Sequence, residues 1–130
     1  MISYIFDTSF LISLLDIDDI NHIKAIELIS ELEIGNYKNK FFINDIILNE
    51  TYTVLNYKKG FEFLKKLEDF FDGIEIIYLS GNNEEYISYF KMIKGKVSVA
   101  DSSVLYDSYK YNLKMLTFDK EMLKISKNYL

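Results

Sequence analysis

What most limits the folding of this chain is the spacing of its short apolar runs. Residues 2–6, a β-branched and aromatic run, and residues 41–43, 74–79 and 115–118 are apolar-rich stretches of strand length. The intervals between them are too long for hairpins and carry helical periodicity, so the strands must be joined by helical crossovers. Strands that alternate with helices form a parallel sheet covered on both faces, and an α/β architecture is expected. With 130 residues, 49% hydrophobic and 27% charged, the chain has the composition of one ordinary globular domain, residues 1–130, rather than of a disordered or fibrous segment.

Helices are expected over 10–15, 20–32, 45–56, 61–71, 84–93 and 99–111, with a closing helix from Lys120. The second has Asp19 or Asn21 as its cap and Ile23, Ile26, Leu28, Ile29 and Leu32 as its apolar side. In the fourth, Phe61, Leu64, Leu67, Phe70 and Phe71 keep close to a 3.6-residue period. Ser98 is placed to cap the sixth. There is no proline, and the glycines at 35, 60, 73, 81 and 95 fall where the pattern changes, Gly35 ending the second helix and Gly73 standing as a C-cap.

The absence of cysteine excludes disulfides and thiolate metal sites, and a single histidine, His22, gives little support to a zinc site or a histidine-dependent triad. His22 reads as a surface residue at a polar helix start. No stretch reaches the roughly 18 apolar residues of a membrane span, and the first residues lack the basic leader of an export signal. A soluble, cytoplasmic protein is therefore expected. The net charge of -5 counts at first against a nucleic-acid partner.

Four acids stand at informative places. Asp7 ends the first strand, Asp101 lies in the first turn of the sixth helix, and Asp119 follows the fourth strand. Ligand sites of parallel sheets form beyond the carboxyl ends of the strands, which puts Asp7 and Asp119 on one side. Each of the three also has a purely structural reading, Asp7 and Asp119 as helix caps and Asp101 as the partner of Ser98 in a capping box. Glu50 is different, because it falls within an apolar stripe made by Ile43, Ile46, Ile47, Val54 and Tyr57, with no Lys three or four residues away. A lone carboxylate buried there costs several kcal/mol unless paired or bound to metal. Four converging carboxylates would repel one another unless a cation lay among them, and hard oxygen donors select Mg²⁺ or Mn²⁺.

These residues resemble the PIN-domain nucleases, and within them the small VapC type of toxin–antitoxin ribonuclease. The resemblance covers nearly the whole chain. Tyr4-Ile5-Phe6-Asp7-Thr8-Ser9 is similar to the family's first motif, and residues 18–25 to the opening of its second helix. Asn49-Glu50-Thr51 with Val54-Leu55, Val99-Ala100-Asp101-Ser102-Ser103, and Leu116-Thr117-Phe118-Asp119 with Met122 resemble the remaining motifs in order. The resemblance implies a three-layer α/β/α sandwich with a central parallel sheet of four to five short strands. It implies a Mg²⁺ or Mn²⁺ site in which Asp7, Asp101 and Asp119 are ligands and Glu50 handles the attacking water, with Thr8, Ser9 and Thr117 supporting the acids by hydrogen bonds. The reaction implied is hydrolysis of an RNA phosphodiester to leave a 5′-phosphate. A homodimer and a small antitoxin covering the site are implied as partners, with Tyr52, Tyr57, Phe61 and Phe63 as candidate contacts.

The chain departs from the family in having no arginine, so RNA contacts would fall to lysine, a point charge without arginine's fork. Residues 1–85 hold 16 acids and 7 Lys, whereas residues 86–130 hold 8 Lys and 4 acids, two of which are the proposed ligands Asp101 and Asp119. Lys91, Lys94 and Lys96 could guide an RNA backbone towards Asp101, and the same lysines equally suit a solvated surface. Two rival readings remain. A receiver-type signalling domain needs an acidic pair after the first strand and an acid after the third, where this chain has Asp7 alone and Tyr78-Leu79-Ser80. An inactive PIN fold that binds RNA or serves as a scaffold is opposed by the presence of all four acids.

Overall fold

A computed structural model of the chain describes residues 2–34 and 39–129, so the expected helix stop at Gly35 lies outside the described residues. The elements run β1 (Ser3–Phe6), α1 (Thr8–Leu15), α2 (His22–Ile34), β2 (Lys40–Asn44) and α3 (Asp45–Lys59). A 3₁₀ turn (Phe61–Phe63) leads into α4 (Leu64–Gly73), then β3 (Ile76–Leu79), α5 (Asn83–Met92), α6 (Val99–Tyr111), β4 (Lys114–Leu116) and α7 (Lys120–Tyr129). The four strands form one sheet in the order β3-β2-β1-β4, and every pairing is parallel.

Successive strand residues point to opposite faces. In β1, Tyr4, Ile5 and Phe6 are all buried, so helices cover both faces of the sheet, as the continuous apolar run requires. Phe41 stacks between Tyr4 and Phe6 at centroid distances of 5.7 and 5.6 Å, and Phe6 also meets Phe10 of α1. A smaller cluster of Ile12, Leu55 and Leu67 joins α1, α3 and α4. Among the described residues no helix is long and apolar enough to cross a membrane.

Several local expectations need correction. β4 ends at Leu116, leaving Thr117 and Phe118 in the loop, because its partner β1 ends at Phe6 and the last ladder bond runs from the Asp7 N–H to the Leu116 carbonyl. α2 starts after Asn21, one of the two caps expected, whose carbonyl accepts from Ala25 N–H, but it buries Ala25 and Ile29 while Ile23 is 70% exposed. Packing against α1 thus decides the buried side, and small Ala25 suits a close approach. α3 buries Ile47, Thr51 and Leu55, one residue round from the expected stripe, leaving Tyr57 91% exposed and Glu50 half-buried. Phe61 is 78% exposed, because α3 stops at Gly60, whose φ of 96° a side-chain-bearing residue rarely adopts, and the chain re-enters through a 3₁₀ turn. Gly73 is the last residue of α4 rather than its cap.

Candidate functional site

Strand order places the site. The chain leaves β1 towards β2 on one side, while β4 returns on the other, so the order reverses between β1 and β4. A crevice opens beyond the carboxyl ends at such a reversal. Asp7 follows β1 there, and Thr117 and Asp119 follow β4.

Asp7 is 1% exposed. Its Oδ2 accepts from Ser9 Oγ and Thr117 Oγ1, both at 2.7 Å. Those hydroxyls in turn accept from the backbone, Ser9 from Phe118 N–H at 3.3 Å and Thr117 from Asp119 N–H at 3.0 Å. Each hydroxyl owns one proton and directs it at Asp7, so the 3.2 Å approach of Ser9 Oγ to Thr117 Oγ1 is packing around a shared acceptor. The other oxygen, Oδ1, is buried with no hydrogen-bond partner among the described residues. Burial pushes the Asp7 carboxyl above the usual carboxylate range, the two hydroxyls and the Thr8 backbone pull it back, and the Asp119 charge raises it further. Asp7 occupies the cap position of α1, yet its side chain makes no capping hydrogen bond, which removes the structural reading offered for it.

Asp119 does cap α7. Its Oδ1 accepts from Glu121 N–H at 2.9 Å and Met122 N–H at 3.1 Å, leaving Oδ2 outside the cap. Asp101 is the third residue of α6, its N–H held by Ser98 Oγ at 3.0 Å. Its carboxyl is pushed up to about 6, first by burial and then by the charges of Asp7, Asp119 and Glu50, against a smaller opposing effect of the Ser98 hydroxyl. The charges of the other three acids therefore all reach Asp101. Among the described residues, though, no three Asp, Glu or His side chains stand close enough to grip a metal ion together. The premise used for Glu50 does not hold: half-buried at the edge of α3, it escapes the deep burial that would demand a partner.

Of the other candidates, Ser9 and Thr117 are hydrogen-bonded to Asp7, whereas the Thr8 hydroxyl lies 3.3 Å from the Thr51 hydroxyl and ties α1 to α3. Lys91 is in the last turn of α5, and Lys94 and Lys96 lie in the turn that leads to Ser98, all three exposed. Tyr52 donates to Glu68 at 3.2 Å, and the Phe63 ring lies under Lys59 and Lys66. His22 is half-buried: its Nδ1–H donates to the Ser13 carbonyl at 2.8 Å, pinning α2 to α1.

A buried network escaped the sequence reading. Asn44 Nδ2 donates to Asp107 Oδ2 at 2.9 Å and to Ser103 Oγ at 3.0 Å, while its Oδ1 caps α3 through Ile47 N–H. The Tyr86 hydroxyl also donates to Asp107 Oδ2, at 2.7 Å. Gly81 lies against the Tyr86 ring so closely that a Cβ there would overlap it. These bonds join the α3 that bears Glu50 to the α6 that bears Asp101. The signal sought at Glu50, a carboxylate on an apolar helix side, is present in α6, where Ala100, Ser103, Val104 and Asp107 align and Asp107 is 3% exposed. Burial raises the Asp107 carboxyl, and Asn44 and Tyr86 oppose the shift.

The PIN domain family model matches residues 4–128. No curated protein sequence matches the chain. Among solved structures, the chain is similar to VapC20 of Mycobacterium tuberculosis, described as a sarcin–ricin loop cleaving toxin, at 16% identity and a TM-score of 0.78 over 94% of each chain. It is similar to VapBC2 of Rickettsia felis, solved with a DNA fragment from its promoter, at 19% identity and a TM-score of 0.68 over 95% of this chain and 92% of that one. A protein of Pyrobaculum aerophilum is similar at 15% identity and a TM-score of 0.67, over 99% and 88% of the two chains.

Proposed function

The chain belongs to the PIN domain family, and from that premise we propose that it is a Mg²⁺- or Mn²⁺-dependent endoribonuclease that hydrolyses RNA phosphodiester bonds, acting as the toxin of a toxin–antitoxin pair. The observation that carries the reading is Asp7. One carboxylate oxygen is held by two hydroxyls and the other is buried without a hydrogen-bond partner among the described residues, beside acids whose charges, after burial, push Asp101 up to about 6. No lysine is among the groups that act on Asp7 or Asp101 there, and an oxygen-only donor set without Cys suits a hard divalent cation. Asp7, Asp101 and Asp119 are the residues that would hold it.

When bound, such an ion supplies Lewis-acid activation of water and neutralises charge at the phosphate. Ser9 and Thr117 fix Asp7 Oδ2 and leave the buried Oδ1 as its open donor atom, and the α7 backbone occupies Asp119 Oδ1 and leaves Oδ2 open. Glu50, half-exposed on α3, accepts the proton of the attacking water. Water adds to phosphorus, the bond to the 3′-oxygen breaks and that oxygen takes a proton from solvent, so the products are a 5′-phosphate and a 3′-hydroxyl. Lys91, Lys94 and Lys96 supply positive charge along the approach to α6.

The likeness to the two VapC structures supports the toxin role and an antitoxin partner. The reading extends to a cytoplasmic homodimer, and exposed Ile20, Ile23, Tyr57 and Phe61 offer apolar surface to partners. Incubating the protein with assorted RNAs in Mg²⁺, Mn²⁺ or EDTA, with Asp101→Asn as control, tests the reading. Cleavage that survives EDTA or the substitution rules it out. A non-catalytic RNA-binding or scaffolding role is favoured by one observation, that among the described residues no three acids stand close enough to grip an ion. RNA binding without metal binding, measured by calorimetry, would establish that role instead.

A further inference from the structure

Next to the acids lies an open cavity of about 310 Å³ that shares only Asp119 with the four acids. Its wall includes Asp119 and Ser9, so it opens directly off the site, and it continues past Asp19, Asn21, Lys58 and Phe118. Resting on the nuclease reading, we propose that this cavity seats one unpaired base of the RNA strand, in the nucleotide flanking the scissile phosphate, and prefers amino-bearing bases over uracil.

The chemistry of the wall carries the assignment. Asp19 is held rigidly, its Oδ1 accepting from Ser13 Oγ and from Asn21 N–H, both at 2.8 Å, which leaves its second oxygen as an acceptor. The Asn21 side-chain amide makes no hydrogen bond to a described residue and offers a donor and an acceptor side by side. That pairing matches the edge of a base, and a carboxylate accepts from an exocyclic amino group, which uracil lacks. Phe118 is fixed by stacking on Phe10, with centroids 5.6 Å apart and planes 17° apart, and gives the wall a rigid aromatic surface of the kind on which unpaired bases settle.

Charge decides which part of the nucleotide goes in. Asp19 and Asp119 repel a phosphate from the interior, so the base enters and the backbone stays at the rim. Lys58 stands there, exposed in the last turn of α3 without an ion pair among the described residues, whereas neighbouring Lys59 is tied to Asp16 at 3.1 Å and Asp18 at 3.2 Å. The volume is at the lower end for a small-molecule site, enough for one base and its ribose and too little for a base pair.

Two measurements test this. In the first, ¹⁵N-labelled protein is titrated with adenosine, cytidine and uridine 5′-monophosphates, which contain no bond for the enzyme to cut. The backbone signals of Asn21 and Phe118 should shift with the adenine and cytosine nucleotides at lower concentration than with the uracil one. In the second, RNAs varied at each position around the cleavage site are cut by the wild type, Asn21→Ala and Lys58→Ala. Asn21→Ala should reduce base discrimination at one flanking position by roughly 5- to 100-fold. Lys58→Ala should raise KM for all sequences alike and flatten the salt dependence. RNA cut by Asn21→Ala with the wild-type preference, or no shift with any nucleotide, overturns the cavity assignment and leaves the nuclease reading standing. Shifts at Asn21 from a protein that cuts no RNA in any metal would overturn the nuclease reading alone.

Discussion

Replacing Asp101 by Asn should stabilise the metal-free protein while abolishing cleavage. The Asp101 carboxyl is pushed from 3.8 to about 6 by burial and by the charges of Asp7, Asp119 and Glu50. Two pH units correspond to about 3 kcal/mol of penalty on the ionised form, an upper bound. Asp101 is only partly buried, and solvent screening reduces the penalty to about 1–2 kcal/mol. Asn forfeits the attraction of a carboxylate for the start of α6, about 0.3–1 kcal/mol, so the net gain is about 1 kcal/mol. For a domain of this size the melting temperature should rise by roughly 3–6 °C. The sign follows from linkage, because a raised folded-state pKa on an acid makes the ionised form the costly one. The penalty is absent below about pH 4, grows between the unfolded value of 3.8 and the folded value of about 6, and is complete above that. Thermal unfolding followed by circular dichroism in EDTA should therefore show Asn above the wild type at pH 7.5 and a gap that closes towards pH 4. Added Mn²⁺ should raise the wild-type midpoint and leave the variant's unchanged. An Asn variant less stable than the wild type at pH 7.5, or a gap equal at both pH values, would refute the electrostatic argument.

Other outcomes follow from the same contacts. Ser9→Ala and Thr117→Val each remove a hydrogen bond that lowers the Asp7 pKa, so the acid limb of the pH–kcat profile should move to higher pH, and each should cost about 1–3 kcal/mol in denaturant unfolding. Glu50→Gln should lower kcat by roughly 10²- to 10⁴-fold with Mn²⁺ affinity by calorimetry nearly unchanged, since Glu50 is assigned the proton rather than the ion. Tyr86→Phe removes a donor to buried Asp107 and should cost about 1.5–3 kcal/mol in urea unfolding, while Asn44→Ala should cost more because it also removes the α3 cap.

The amino-acid sequence by itself determined the identity and order of the elements and the places of the acids along them. Strand and helix periods, Ser98 as the cap of α6 and Asp7 and Asp119 at strand ends are signals that act within a few residues, and such signals are readable without a partner surface. Burial is not of that kind. Whether Ile23 or Ala25 faces the core depends on what packs against α2, and an apolar stripe drawn one residue out of phase exposed Tyr57 and mistook Glu50 for a buried charge, while Asp107 went unnoticed. Only the tertiary structure decided that β4 pairs with β1, because strand order is set by contacts more than a hundred residues apart, such as Phe6 with Leu116. That pairing brings Ser9 and Thr117 to the same oxygen of Asp7, leaves its second oxygen without a partner among the described residues, and opens the cavity between α1 and the β4–α7 loop. Hydrogen-bond satisfaction belongs to atoms, and which atom of an acid is left without a partner is settled only when distant parts of the chain meet.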